Sequence, residues 1–193
     1  MSKPLVLAST SAYRRQLLER LSVPYTCMAP DIDESALPQE TPEELSLRLA
    51  EAKAHAAAEK FPAHLIIGSD QVASLNGDPI GKPGNFERAT RQLRAASGAT
   101  VTFYTSAVLY DSETGDTQRH TDITQVRFRE LTDTEICNYL LREEPYQCAG
   151  SFKVEGLGIA LFEKIETEDP SALIGLPLIA ICTMLRTAGI SVL

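Results

Sequence analysis

Basic residues are in short supply in this chain of 193 residues: 18 Lys and Arg stand against 26 Asp and Glu, a net charge of −8. A surface of that sign repels nucleic acid and anionic membranes, so neither is an expected partner, and a small anionic ligand would need a local positive pocket. Cysteine is sparse too. Cys27, Cys137, Cys148 and Cys182 form no CxxC pair and lack histidines at zinc spacing, so they offer no zinc site or disulfide framework and fit a reduced, cytoplasmic chain. Long apolar runs are missing. Leu5-Val6-Leu7-Ala8 is too short for a signal peptide, and the stretch from Leu173 to Leu185 is broken by Gly175 and Pro177 before it could span a membrane. No repeat, low-complexity tract or block of like charge marks a linker, so one domain over residues 1–193 is expected. With 44% hydrophobic residues, a chain of this length buries roughly 70% of its unfolded surface.

Helical and extended patterns alternate along the chain. Pro4 to Ala8 reads as a short buried strand, and Ser9-Thr10-Ser11 then caps a helix with apolar positions at Tyr13, Leu17, Leu18 and Leu21. Thr41-Pro42-Glu43-Glu44 is a capping box with proline at the first helical position, and its helix runs to about Lys60. Leu65-Ile66-Ile67 has the pattern of a central strand covered on both faces, ended by Gly68-Ser69-Asp70 with a carboxylate at the exit. Asn76-Gly77-Asp78 marks a hairpin turn between Val72–Leu75 and Pro79-Ile80. A third helix is expected from about Phe86 to Ser97, closed by Gly98, then long strands at Thr100–Tyr110 and Gln118–Arg129. A second capping box, Thr132 to Glu135, opens a helix to about Glu143. A glycine-rich loop from Cys148 to Gly158 enters a strand at Ile159–Phe162, and a last helix starts at Pro177 and ends near Gly189. The sum is an α/β fold, a mixed sheet with helices packed on it.

Several polar residues sit where bland chemistry would not put them. Lys53 lies at i, i+4, i+8 with Leu45 and Leu49, on the buried stripe of its helix; it is either a snorkelling lysine or one reaching into an anion site. Asp70 stands at a strand end, where open α/β sheets place chemistry, although a turn role also fits. The turn at Ser9-Thr10-Ser11, followed by Arg14-Arg15, could converge N–H groups, hydroxyls and guanidinium forks on phosphate oxygens, yet it lacks the glycines and lysine of a Walker A loop. Alone it reads as a capped helix. Asp33 and Glu34, with Asp70, form a set of the kind that can hold Mg²⁺ while one carboxylate activates water; Asp31 reads as a solvated loop residue. Lys82, after the hairpin, could supply positive charge to a cleft, whereas Lys153 and Glu51 read as solvated and Gly156-Leu157-Gly158 as a packing feature. His55, His64 and His120 have no ligand or triad spacing and read as surface residues.

In order along the chain, Ala8-Ser9-Thr10-Ser11 with Arg14-Arg15, Asp33-Glu34, Arg48 through Lys53, Gly68-Ser69-Asp70-Gln71, Gly81-Lys82-Pro83, Cys148-Ala149-Gly150-Ser151-Phe152 and Gly175-Leu176-Pro177 resemble the Maf family. Each motif is weak alone; seven in order over nearly the whole chain are specific. The resemblance implies an elongated mixed α/β sheet with two lobes around a cleft, frequent dimerisation, and metal-dependent pyrophosphatase activity on nucleoside triphosphates. It carries active-site roles to Ser9, Arg14, Glu34, Lys53, Asp70 and Lys82. Asp70 would act as general base, Mg²⁺ or Mn²⁺ would be held by Glu34 and Asp70, and Ser9, Arg14, Lys53 and Lys82 would bind the triphosphate.

Three departures from the family's dTTP and UTP branch resemble instead the branch acting on 7-methyl-GTP: Tyr13 beside Arg14, Gln71 after Asp70, and Glu155 before Gly156. The substitutions suit that base, which is cationic, stacks on an aromatic face, and offers N–H donors that a carboxylate accepts. Two other readings remain open at this stage: the same chemistry on dTTP or UTP, and a non-catalytic nucleotide-binding regulator of cell division.

Overall fold

The computed structural model describes residues 3–193. Seven strands form one mixed sheet: β1 (Leu5–Ala8), β2 (Tyr25–Met28), β3 (Leu65–Leu75), β4 (Asp78–Ile80), β5 (Thr100–Asp111), β6 (Thr117–Phe128) and β7 (Phe162–Glu166). The order is β2-β1-β3-β5-β6-β7. β1 pairs parallel with both β2 and β3, the remaining neighbours are antiparallel, and β4 pairs with the far end of β3. Five α-helices flank the sheet: α1 (Ala12–Glu19), α2 (Pro42–Ala58), α3 (Phe86–Ala96), α4 (Asp133–Glu143) and α5 (Leu178–Thr187).

Local signals set most of these boundaries. The capping boxes at Thr41/Glu44 and Thr132/Glu135 are both formed, each satisfying two amide groups that the first helical turn would otherwise leave free. At the hairpin, Asn76 and Gly77 both take positive φ, as a two-residue turn between right-twisted strands requires.

Three elements differ from the sequence expectation. β3 does not stop at Gly68 but runs to Leu75, because β5 supplies it with a partner along its whole length. β2 carries no strong pattern, being half exposed, and exists through its pairing with β1. Residues Ile159–Leu161, expected to begin a strand, belong instead to a 3-10 turn over Leu157–Leu161, and β7 starts only at Phe162. The reason is close packing: a Cβ on Gly158 would overlap the Lys153 carbonyl, and one on Gly156 would lie 2.7 Å from the Glu143 carboxylate.

The core is divided along the strands. In one lobe, β1 and the first half of β3 are covered on both faces: Leu5, Leu7, Leu65 and Ile67 pack under α1 and α5, while Val6, Ala8 and Ile66 pack under α2. In the other, Val101, Phe103, Val126 and Phe128 pack against α3, α4 and Phe152. β3, β5 and β6 cross from one lobe to the other. The pairing register shows where they separate. β1 accompanies β3 only as far as Gly68, and β4 joins the same edge only at Ala73. Between them, Ser69, Asp70, Gln71 and Val72 have a partner on one side alone, and the edge left open is the floor of a cleft.

Candidate active site

Asp70 lies at the centre of this gap in the sheet rather than at a strand end, so it owes its position to the termination of β1, not of β3. The chain leaving β1 makes the Ser9–Ser11 turn at one end of the gap; the chain leaving β4 brings Gly81 and Lys82 to the other. Strand alternation then divides the labour of β3 between the two faces. Gly68 and Asp70 face α2, and Ser69 and Gln71 face the segment Ala172–Gly175.

On the α2 side the approach is very close. A Cβ on Gly68 would overlap the Ala50 carbonyl oxygen and lie 2.9 Å from the Ala54 amide nitrogen, so only glycine lets the helix cross the strand at this depth. That crossing delivers Lys53, buried on its stripe with Leu45 and Leu49 as the periodicity implies, onto the carboxylates. Its Nζ donates to Asp70 Oδ1 at 2.5 Å and pairs with Glu34 Oε1 at 2.6 Å. Lys53 and Asp70 side chains are 8% and 11% exposed, and that of Glu34 is 58% exposed, so the triad runs from the sheet outward to solvent. The Lys53 ammonium, with Lys82 and Arg14 beyond it, holds the Glu34 carboxyl below its usual value against the opposing effect of burial. Asp70 Oδ2 accepts no hydrogen bond among the described residues, and no buried polar side-chain atom there lacks a partner; Oδ2 is therefore open to the cleft.

On the opposite face, backbone carbonyls take over. Arg14 Nε donates to the Gly175 carbonyl at 2.8 Å, and Ser69 Oγ donates to the same oxygen at 3.1 Å. Gln71 Nε2 donates to the carbonyls of Ala172 and Leu173 at 3.0 and 3.1 Å and to Thr105 Oγ1 at 3.0 Å. The amide nitrogen of Gln71 is thus spent on holding this loop, leaving only its carbonyl oxygen to meet a ligand. Burial depresses the Arg14 guanidinium while Asp70 and Glu34 raise it.

The cleft comprises two adjoining cavities of about 410 and 300 Å³, each within the range of small-molecule sites. Both are lined by Ser11, Tyr13, Arg14, Glu34, Lys53 and Lys82, which mark the boundary between them. The smaller adds Ser9 and Thr10; Ser9 Oγ is turned inward, accepting from the Ser11 amide at 3.1 Å. The larger adds Asp70, Gln71, Glu155 and an apolar wall that includes Phe152, Val154, Leu173 and Ile174. Tyr13 is partly exposed toward it, and burial, with Cys148 and Glu155 nearby, raises its phenol above the usual value. One half of the cleft therefore adds hydroxyls and the other adds carboxylates, an amide and apolar surface, while the cations and Tyr13 stand at the boundary shared by both.

All nine sequence-chosen residues, Ser9, Tyr13, Arg14, Glu34, Lys53, Asp70, Gln71, Lys82 and Glu155, line one or both cavities. Lys153 does not; its Nζ donates to the Glu143 carbonyl at 2.7 Å, where a cation at a helix C-terminus is favourable, so it is neither a site lysine nor a freely solvated one. Sequence reasoning missed Gln147, which lines both cavities with no signal in its neighbours, and the Gly175 carbonyl, whose role follows only from the fold. Among the described residues no group of three or more His, Cys, Asp or Glu side chains is placed to hold a metal. Glu34 and Asp70 supply two hard oxygen donors lining the larger cavity, a donor set that fits Mg²⁺, an ion commonly held by one or two carboxylates with substrate phosphates completing its shell.

A model of the Maf-like protein family matches residues 4–188. A protein of Polaromonas sp. named 7-methyl-GTP pyrophosphatase is 55% identical over 190 residues, covering 98% of this chain and 87% of that relative. A protein of Burkholderia pseudomallei with that name is 57% identical over 188 residues, 96% of this chain and 87% of the relative. One from Nitrosococcus oceani, also so named, is 55% identical over 189 residues, 98% and 95% respectively. With the mixed sheet, the gap in it and the residues gathered there, these matches establish that the chain belongs to the Maf-like protein family.

Proposed function

We propose that this chain is a nucleoside triphosphate pyrophosphatase that cuts the α–β phosphoanhydride of 7-methyl-GTP, releasing 7-methyl-GMP and pyrophosphate. The observation that carries the reading is the Lys53 ammonium held between Asp70 and Glu34 at the cation-bearing junction of a hydroxyl-lined half-cleft and one with Glu155 and an apolar wall. A nucleotide fits that division, with its phosphates toward Ser9, Arg14 and Lys82 and its base toward Tyr13 and Glu155. The names of the relatives from Polaromonas, Burkholderia and Nitrosococcus support the same substrate.

Asp70 is suited to act as general base. Lys53 occupies Oδ1 and fixes the carboxylate, leaving Oδ2 to take a proton from water as the water oxygen bonds to the α-phosphorus. The bond from that phosphorus to the bridging oxygen breaks, and the electron pair leaves with pyrophosphate. Arg14, Lys53 and Lys82 meet the charge that develops on the departing group. Glu34 would hold a divalent cation, with Asp70 Oδ1 as its second donor once Lys53 turns to the phosphates, and the bound ion would neutralise phosphate charge and polarise the scissile anhydride.

At the other end, a cation on the face of Tyr13 gains about 2 kcal/mol when desolvated, roughly a thirtyfold preference. The greater discrimination falls to Glu155, which lines the larger cavity, accepts no hydrogen bond among the described residues and is free to accept those of the base. We read the enzyme as cytoplasmic: its four cysteines are unpaired, as a reducing compartment favours. Among the described residues no helix is long and apolar enough to cross a membrane.

The test is product analysis with a panel of normal and methylated nucleoside triphosphates in the presence of Mg²⁺ or Mn²⁺. Pyrophosphate, with 7-methyl-GTP preferred, is expected; stepwise orthophosphate, or nucleotide binding without turnover, would overturn the reading.

A further inference from the structure

Glu34 has little to hold it. It sits in the segment from Ala29 to Glu40, which contains neither helix nor strand, and its side chain is largely exposed. Among the described residues its one ion-pair partner is Lys53, the lysine that an anionic phosphate entering the cleft would draw away. A carboxylate placed by that contact alone would be released when it is needed.

A second residue of α2 supplies a hold that does not depend on Lys53. Arg48 Nε donates to Glu40 Oε1 at 2.5 Å, and its Nη2 donates to Glu40 Oε2 at 2.9 Å and to the Ser35 carbonyl at 2.9 Å. Glu40 Oε2 also accepts from the Leu37 amide at 2.9 Å, and Asp33 Oδ1 from the Ser35 amide at 2.9 Å. One guanidinium thus ties both ends of Ser35–Glu40 to the helix, and its grip on the backbone is at the residue adjoining Glu34. Only arginine presents this fork and a further donor on one planar group.

We propose that Arg48 is a positioning residue for the reaction, fixing Glu34 over the cleft through the Ser35 carbonyl and the Glu40 carboxylate so that Glu34 stays in place when Lys53 turns to the substrate. The inference rests on the proposed role of Glu34, and it assigns Arg48 no contact with the nucleotide.

The first arm of the test needs no activity. A glutamate-specific protease is applied to the folded chain and cleavage after Glu34 is followed by mass spectrometry. Losing charge-assisted hydrogen bonds of this kind frees the loop, so Arg48→Met is expected to speed that cut about tenfold or more. The second arm is a double-mutant cycle on turnover. Arg48→Met is expected to lower kcat about tenfold to hundredfold, as displacement of a positioned group by roughly 1 Å does, with KM for the nucleotide little changed. In a Glu34→Gln background the same substitution should cost less than about twofold, since it acts through Glu34. Arg48→Lys, which keeps the charge and loses the fork, should resemble Arg48→Met, and with Glu40→Gln it carries the same test if Arg48→Met does not fold. Unchanged cleavage after Glu34, or kcat losses that multiply independently, would overturn the proposal. Should the wild-type chain release no pyrophosphate, the functional reading fails, while the protease arm still decides whether Arg48 holds the loop.

Discussion

Two regions of the sheet bury aspartates, and they do so in opposite ways. Asp70 meets a cation: its Oδ1 is held by the Lys53 ammonium and its other oxygen faces the cleft. Asp122, on β6, and Asp169, before α5, are 3% and 4% exposed and meet none. Asp122 accepts from the hydroxyls of Thr124 and Thr167 and from the Asp169 amide; Asp169 accepts from the Ser171 amide at 2.9 Å, the Ser171 hydroxyl at 2.5 Å and the Ile179 amide at 2.7 Å. In this second region every carboxylate oxygen is consumed by neutral donors, and Asp169 serves as the missing cap of α5, whose adjoining Pro177 has no side chain to offer. Burial alone therefore does not mark a reacting group. An oxygen left open, beside a charge that a ligand can claim, does.

The largest effect should come from breaking the first region. Asp70→Asn keeps the shape of the side chain and removes the base, and a positioned base is worth roughly 10² to 10⁴-fold in rate. Turnover of 7-methyl-GTP should fall by at least the lower figure with the thermal midpoint nearly unchanged. Near-normal turnover would remove Asp70 from the chemistry.

Breaking the second region should invert that pattern. Asp169→Ala leaves the Ser171 and Ile179 amides without acceptors and uncaps α5, the Ser171 hydroxyl keeping the Leu176 carbonyl; each buried donor so stranded costs about 1 to 3 kcal/mol, and a total loss of about 3 kcal/mol in chemical unfolding is expected. Turnover per folded molecule should stay near wild type. If it fell as steeply as in Asp70→Asn while stability held, the contrast between the two regions would be lost.

The two regions also differed in how readable they were. Lys53 was visible as a charge that breaks the period of an apolar stripe, and Asp70 as a carboxylate at the expected exit of an apolar strand, although β3 in fact runs on to Leu75. Asp122 interrupts nothing, lying in a strand of mixed polar residues, and Asp169 before Pro170 reads as an ordinary loop. Asp122 takes its role from the pairing of β6 with the chain near Thr167, contacts more than forty positions apart, and Asp169 from the turn that brings the start of α5 back onto it ten positions later. The same division runs through the fold. Helices announced by capping boxes formed where expected, whereas β2, the continuation of β3 and the turn at Leu157–Leu161 depend on distant partners. The gap in the sheet that makes the cleft is a property of register between β1, β3 and β4, which no local window contains.

A third kind of carboxylate sharpens the comparison. Glu155 lines the cavity beside Tyr13 with neither cation nor neutral donor assigned to it among the described residues. An acceptor left free in this way is available to a ligand, and hydrogen bonds to charged groups are worth about 1.5 to 3 kcal/mol. Glu155→Gln should lower the preference for 7-methyl-GTP over UTP by about tenfold to a hundredfold, measured as the ratio of kcat/KM values, with little change for UTP itself. An unchanged ratio would move specificity away from this residue.

The smallest effect concerns Glu40, which shares a cation with no cleft at all. The Arg48 guanidinium pushes its carboxyl down from the ordinary 4.5 to about 2. A carboxyl whose folded value lies below its unfolded one stabilises the fold fully above the unfolded value, and that contribution is lost as pH falls toward the folded one. The thermal midpoint of the wild type should therefore exceed that of Glu40→Gln at neutral pH, and the difference should close as pH drops from about 4.5 to about 2. The pair is near the surface and salt screens it, so raising ionic strength should shrink the same difference at neutral pH. The Asp169 cap, made by neutral donors in the interior, should respond far less to salt. A Glu40→Gln difference that ignored both pH and salt would show that the Arg48 pairing adds nothing to stability, leaving its hold on the Ser35 carbonyl as the part that matters.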